Sequence, residues 1–401
     1  MKPVAIKDDI YWVGAVDWQR RDFHGYTISP YGTTYNAFLV KDEKITLFDS
    51  GPKGFAGEIL CRAAQVCDLA DIEYIVANHG EMDHSGALPE LVERIRPKKV
   101  FCSPMAAKSL AAHYDVSGWP LEAVDFKTPL CLGKRNVHFV ETRMLHWPDS
   151  MVSYLAEDKL LISQDAFGQN IAGAERFSDE TDEGLLRRQA ARYYANIVLP
   201  YSPMTLKTIE AIEKAGLSID MIAPDHGVIW RGGKDVAKAI AWYKEFALQK
   251  PTRKAVIVYD TMWKSTETMA QAVASGLDDE GVAVRIMALK VNHRSDVMEE
   301  VWNAGAVLVG SPTHNNGILP PVAAMLTYMK GLKPKNKIGA AFGSYGWSGE
   351  SIKIVSEALT DMGFETVPGV KCQFVPKQEA LAACVALGRT VGAALAAKLS
   401  A

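Results

Sequence analysis

The sequence predicts an α/β protein of two modules, a layered, mixed-sheet module over residues 1–250 and a parallel α/β module over residues 251–401. Three observations predict it. The chain of 401 residues, 48 % hydrophobic, is long enough for two cores. Its first part carries β-rich runs that pair as neighbours across short polar turns. After about residue 250, short apolar strands alternate with helical segments, the pattern of a parallel sheet.

In the first module the strand-like runs are YNAFLV at 35–40, ITLF at 45–48, YIVA at 74–77, VHFVE at 137–141, MVSYLA at 151–156 and KLLIS at 159–163. KDEK separates the first two and AEDK the last two, so each pair reads as a hairpin. The polar run FALQKPTRKA at 246–255, with Pro251, marks the junction. Beyond it come strands at 255–260, 282–289, 306–311 and 337–344, with helices expected near 265–279, 322–330, 352–362 and 379–399. The last helix should cover one face of the sheet.

Composition narrows the function. With 44 basic against 47 acidic residues, the net charge of −3 gives no general attraction to nucleic acid or an anionic bilayer. The first segment acquires acidic residues early, and no run offers the roughly 20 uninterrupted apolar residues of a membrane span. A cytoplasmic protein is expected. Six cysteines without a CxxC pair argue against disulfides and a four-cysteine iron site, and each is expected to be a small buried hydrophobe.

The strongest local signal is His79-Gly80-Glu81-Met82-Asp83-His84, directly after the strand EYIVA. A loop at a strand end can converge side chains that a regular element would separate. His146 in RMLHWPDS, Asp165 in KLLISQDAFG and His226 in MIAPDHGVI each follow another β-like run. Singly, each reads as ordinary hydrogen-bonding structure, and the hexad alone as a polar turn. Jointly, they read as an oxygen-rich binuclear metal site over one edge of an α/β/β/α core.

These residues resemble the metallo-β-lactamase superfamily, with Glu81 standing where its first motif has histidine. Extra hard oxygen ligands favour iron or manganese over a histidine-rich zinc centre. The resemblance implies a metallo-β-lactamase-like αββα domain in which His79, Glu81 and His146 hold one metal, Asp83 and His226 the other, and Asp165 bridges them. His84 is either a ligand of the second metal or turned aside.

Joined to the second module, the pattern resembles the flavodiiron family over essentially the whole chain, and within it the rubredoxin-coupled branch of anaerobic bacteria. DFHGYTISPYGTTYNAFLV at 22–40, the HGEMDH cluster and ETRMLHWPDS at 141–150 carry that likeness. It implies two non-haem irons, and it brings Phe23, His24 and Tyr26 near the metal pocket, with Trp147 and Tyr194 as wall or supporting candidates. His24 and Tyr26 offer polar groups that could steer a proton or polarise a ligand.

In the second module, Thr261-Met262-Trp263-Lys264-Ser265-Thr266 follows AVIVYD and opens a helix, where orphan N–H groups and hydroxyls suit a phosphate. The stretch lacks the spacing of dinucleotide or triphosphate motifs, so a monophosphate fits best. Two further loops follow strands of the same sheet: Ser311-Pro312-Thr313-His314-Asn315-Asn316-Gly317, and Ser344-Tyr345-Gly346-Trp347-Ser348-Gly349. The three loops resemble flavodoxin, a doubly wound parallel sheet, and imply FMN.

The resemblance implies reduction of dioxygen to water, or of nitric oxide to nitrous oxide, with rubredoxin as the electron donor. It also implies a head-to-tail homodimer that sets FMN of one protomer beside the diiron of the other. Two other accounts compete. A binuclear zinc hydrolase with an accessory flavodoxin-like domain would use metal-bound hydroxide, but Glu81 weighs against it. A non-enzymatic electron carrier would leave six convergent ligands as unexplained polar cost.

Overall fold

The structure is a computed structural model that describes residues 2–400. The chain divides into two compact units: one runs to Tyr193 and resumes over Tyr201–Lys244, and the other comprises Tyr194–Pro200 and Glu245–Ala401.

The first unit contains two larger sheets. One has seven strands, in the order Val4–Lys7, Ile10–Trp12, Phe38–Val40, Ile45–Phe48, Ile72–Ala77, Lys99–Cys102, Leu121–Ala123. The other has six: Leu130–Cys131, Asn136–Glu141, Met151–Leu155, Leu160–Gln164, Met221–Pro224, Trp230–Arg231. Both expected hairpins form, with Phe38 opposite Phe48 and Leu155 opposite Leu160 in antiparallel register.

Side chains alternate across a strand, and this sequence uses both faces of the first sheet. Phe38, Val40, Phe48, Val76 and Phe101 enter the core shared with Val137, Phe139, Leu155 and Ile162 of the second sheet. Their neighbours Leu39, Leu47, Ile75 and Val100 pack on the other side against Ile59 and Leu60 of the helix Ala56–Ala63 and Leu91 of Leu88–Ile95. On the outer face of the second sheet, Val152 and Leu161 meet Ile209 of the helix Ser202–Ala215 and Tyr243 of Gly233–Leu248. The result is an α/β/β/α sandwich.

In the second unit the main strands run in parallel, in the order Ala283–Ala288, Thr252–Tyr259, Ala304–Gly310, Ile338–Tyr345, with Glu365–Thr366 and Val370–Gln373 both pairing to the last. This is the 2-1-3-4-5 order of flavodoxin-like sheets. The helix Gln378–Ser400 is long and apolar enough to cross a membrane by length and composition. Here, however, Cys384, Leu387, Val391 and Leu395 pack it onto Ala255, Ile257 and Leu308 of the sheet. The cysteines correct one expectation. Cys102, Cys372 and Cys384 are buried and Cys67 half-buried, but Cys61 and Cys131 are exposed; all six are free.

Candidate metal centre and flavin cavity

Loops at strand ends of the first unit converge. His79 follows Ile72–Ala77, His146 lies between Asn136–Glu141 and Met151–Leu155, Asp165 follows Leu160–Gln164, and His226 follows Met221–Pro224. Ligand-type atoms fall into one group of His79, Glu81, His146 and Asp165 and another of Asp83, His84 and His226, with a third, overlapping group of His24, Glu81 and Asp83; within each group they lie within 4.8 Å of one another.

Asp165 stands between the first two groups. Its Oδ2 lies 3.0 Å from His146 Nε2 and 3.5 Å from His79 Nε2, while its Oδ1 lies 3.1 Å from His84 Nε2 and 3.3 Å from His226 Nε2. Glu81 Oε2 lies 3.2 Å from His79 Nε2 and 3.4 Å from His146 Nε2. Asp83 faces His226 Nε2 at 3.3 Å and His84 Nε2 at 3.4 Å.

Two of these contacts, His79 Nε2 with Glu81 Oε2 and His146 Nε2 with Asp165 Oδ2, have hydrogen-bond geometry, but others are left unmade. His84 Nε2, His226 Nε2 and Asp83 Oδ1 are buried without a hydrogen-bond partner. Each such atom costs about 1–3 kcal/mol unless something satisfies it. A cation seated within their group would do so, and the donor set of imidazoles and carboxylates in both groups suits iron.

The far sides of three rings are held. His79 Nδ1 lies 3.1 Å from Asp149 Oδ1, His84 Nδ1 3.0 Å from Asp225 Oδ2, and His226 Nδ1 2.8 Å from the Thr34 carbonyl. These contacts leave Nε2 free to ligate. Electrostatics agree. Burial pulls His79 down, but Asp149 and Glu81 more than offset it and raise its pKa to about 10. His226 is likewise raised to about 9 by Asp165 and Asp83 against burial. Glu81, opposed by burial, is lowered to about 2 by His146 and His79. The carboxylates thus favour positive charge in a dry place.

A cavity of about 650 Å³ opens on this cluster, lined among others by Phe23, His24, Glu81, Asp83 and Trp147. His24 Nε2 lies 3.1 Å from Asp83 Oδ2, and its ring stacks 5.9 Å from that of Tyr26. Trp147 meets His79 edge-on at 5.3 Å.

In the second unit, a cavity of about 770 Å³ lies where the three loops meet. It is lined by Thr261, Met262, Trp263 and Ser265, by Pro312, Thr313, Asn315 and Asn316, and by Ser344, Tyr345, Gly346, Trp347 and Ser348. The strand order reverses direction here, with Ala283–Ala288 on one side of Thr252–Tyr259 and Ala304–Gly310 on the other, which opens a crevice at the carboxyl ends. Thr266, the second residue of the helix Ser265–Asp279, is fully buried and its Oγ1 has no partner. An unsatisfied hydroxyl beside the free N–H groups of a fifteen-residue helix suits a phosphate.

Residues 33–227 match the ODP family beta lactamase and residues 257–388 match Flavodoxin. The rubredoxin-oxygen oxidoreductase of Megalodesulfovibrio gigas is 53 % identical over all of both chains. A solved structure of rubredoxin oxygen:oxidoreductase from the anaerobe Desulfovibrio gigas superposes with a TM-score of 0.98, again over all of both chains. The flavodiiron protein of Giardia intestinalis is 33 % identical, with a TM-score of 0.95 over 99 % of this chain and 98 % of its own. The chain belongs to the flavodiiron family.

As a flavodiiron protein it is an oxidoreductase that uses FMN and a diiron centre. Of the loop residues expected at the flavin, several support the cavity instead of lining it. Ser311 Oγ donates to the Pro312 carbonyl and accepts from Leu319 N, closing its loop. His314 and Gly317 pair across a hairpin whose turn is Asn315-Asn316, both at positive φ. Lys264 takes a left-handed conformation to start the helix, and Gly349, at φ +104°, leaves room for the Tyr345 ring, which a Cβ would meet at 3.2 Å.

Tyr194 is a correction. It belongs to the second unit, where it packs on Phe246 at 5.5 Å. Its neighbour Tyr193 reaches the metal cluster instead, donating its hydroxyl to Asp165 Oδ1 at 2.8 Å. Successive helical residues point about 100° apart, so adjacent tyrosines cannot share a target. Sequence reasoning also missed Asp149, Asp225, Phe374 and Val375. The two carboxylates carried a signal, since each stands within three residues of a candidate histidine. The last two line the flavin cavity from a fourth strand end.

Proposed function

We propose that this protein reduces dioxygen to water, taking electrons from rubredoxin through FMN to the diiron centre. The observation that carries the proposal is the coexistence, in one chain, of two ligand groups joined by Asp165 and a flavodoxin-order cavity. Full-length likeness to a rubredoxin-oxygen oxidoreductase supports the substrate and donor. Reduction of nitric oxide to nitrous oxide is the second reading, favoured by 47 % identity over 98 % of the chain to the nitric oxide reductase of Moorella thermoacetica.

When bound, paired iron supplies two-electron chemistry on a small oxidant and FMN collects electrons singly. The chain's own residues do the rest. His79, Glu81, His146, Asp83, His226 and Asp165, with His84, would hold the metals. Burial, then Glu81 and Asp165, hold the Tyr26 phenol well above its ordinary pKa, so it keeps its proton and can donate from beside the cavity. His24 stands against Asp83 at the cavity wall, and Trp147 excludes water from the His79 side. At the flavin cavity, Thr266 and the helix start would take the phosphate, and the loop carrying Tyr345 and Trp347 would hold the rest of FMN.

We read residues 1–250 as the diiron domain and 251–401 as the FMN domain, in a cytoplasmic protein acting as a head-to-tail homodimer. The test is anaerobic reduction by rubredoxin, followed by separate mixing with oxygen and with nitric oxide. Oxygen consumption to water well above that of free FMN is expected. Oxygen consumption no faster than free FMN, in protein fully loaded with iron, would overturn the reading.

A further inference from the structure

We propose that Asp149 is a positioning residue of the diiron centre, whose single carboxylate fixes the tautomer of His79 and locks the His79–Glu81 loop to the loop that carries His146. The inference rests on the reading that His79 ligates iron.

Asp149 is 1 % exposed, and both of its oxygens are used. Oδ1 lies 3.1 Å from His79 Nδ1, and Oδ2 accepts the Gly80 N–H at 2.9 Å. A carboxylate only accepts, so the shared proton belongs on Nδ1 and the Nε2 lone pair is left facing Glu81 and Asp165. The opposite tautomer would present an N–H to the metal and a lone pair to a carboxylate.

The main chain of Asp149 is anchored in turn. The Asp149 carbonyl accepts the Ser103 hydroxyl at 2.7 Å, and the same Ser103 oxygen caps the helix Pro104–His113 by accepting Ala106 N–H at 3.0 Å. His146 lies in the same short loop, which Thr142 N–H closes on the Ser150 carbonyl at 3.0 Å. The Asp149 side chain therefore joins two ligand loops while its main chain ties them to a rigid helix end, and it does so for one metal group only.

Gly80 supplies an independent observation. Its φ is not in the left-handed region, so its backbone suits any residue. Yet a Cβ there would stand 2.5 Å from Asp149 Oδ2, with Ser109 Cβ next at 3.3 Å. The absent side chain makes space for this carboxylate.

Asparagine cannot replace it. If its oxygen accepts from Gly80, its NH₂ faces His79 Nδ1 and selects the wrong tautomer; if reversed, two donors meet at Gly80. The experiment compares wild type with Asp149→Asn, Gly80→Ala, the double variant and His79→Ala, all full-length and FMN-loaded. Ferrous ion affinity is read by chelator competition and the two iron positions by Mössbauer spectroscopy of ⁵⁷Fe-loaded protein. Asp149→Asn should lose about 10- to 100-fold in affinity at one position, as other supports of metal-bound histidines do. That position's spectrum should change while the other position and the FMN content hold. Gly80→Ala should lose a comparable amount, and the double variant no more than either. Wild-type affinity with unchanged spectra in Asp149→Asn, or additive losses in the double variant, overturns the proposal. If Asp149→Asn fails to fold, Gly80→Ala decides alone, with unchanged iron affinity counting against. Retention of both irons in His79→Ala would instead show that the ligand assignment has failed.

Discussion

At the scale of single residues, the placement of two adjacent tyrosines has a direct consequence. Tyr193 is fully buried, and its pKa is driven well above the ordinary phenol by burial and by Asp165, so it remains a donor to the carboxylate that joins both metal groups. A hydrogen bond to a charged group contributes about 1.5–3 kcal/mol. Tyr193→Phe should therefore lower oxidant turnover about tenfold or more with both irons and FMN still bound, whereas Tyr194→Phe should leave turnover within about twofold. Steady-state rates alongside iron and flavin analysis check this, and equal losses in both variants would refute the placement. The ligand-type side chains were legible because four of them stand in one hexad and three more at the ends of other β-like runs, a density that ordinary polar structure does not require. The supporting residues were not. Nothing in a linear reading says that Asp149 bends back seventy residues to His79, since that pairing depends on how two loops meet.

At the scale of elements, the four helices expected in the second module were read nearly to the residue, that at 265–279 being Ser265–Asp279, whereas long helices of the first module such as Ser202–Ala215 were given no bounds. Short edge strands such as Ala15–Asp17, Thr33–Tyr35 and Leu121–Ala123 were not read, because three residues carry no period and are fixed by their partners. Two elements carry predictions. The helix start at Thr266 is assigned to a phosphate, so Thr266→Val should weaken FMN binding severalfold while leaving riboflavin affinity nearly unchanged. Fluorescence titration of the apoflavin protein with each ligand measures it, and equal weakening would point to packing instead. Lys337, which enters the strand Ile338–Tyr345, is 1 % exposed, and burial, then Lys254 and Lys398, lower its pKa to about 7. Its Nζ donates to the Trp302 carbonyl at 2.9 Å. The unfolded chain, with a lysine pKa of about 10.4, binds more protons between pH 7 and that value, so stability rises with pH across this window. Below pH 7 the buried charge is a standing cost. Thermal unfolding followed by FMN release should show wild type gaining on Lys337→Met from about pH 7 to about pH 10, and a pH-independent difference would refute it.

At the scale of the whole molecule, the open matter is how two cofactors exchange electrons when their sites belong to separate compact units. Electron transfer needs close approach, and the flavin cavity is rimmed by apolar side chains that a lone surface would not keep: Trp347 and Trp263 are each 88 % exposed, and Phe374 and Val375 join them. Exposed aromatic groups around a redox cavity suit an interface. An isologous head-to-tail pair would create two junctions at once, each joining one protomer's FMN to its partner's diiron. The decisive preparation is a heterodimer of two differently tagged chains, one metal-dead through His79→Ala and Asp165→Asn, the other flavin-dead through Thr261→Ala and Thr266→Val. Each pure form should be inactive. In the mixed dimer, the first chain's FMN faces the second chain's intact diiron, so about half of the wild-type activity per dimer should return. Transfer confined within a chain predicts no recovery, because neither chain then carries both cofactors. A heterodimer shown by iron and flavin analysis to hold one of each site, yet inactive with reduced rubredoxin, would exclude the crossed arrangement. An active monomer isolated by sizing and light scattering would remove the need for a dimer altogether.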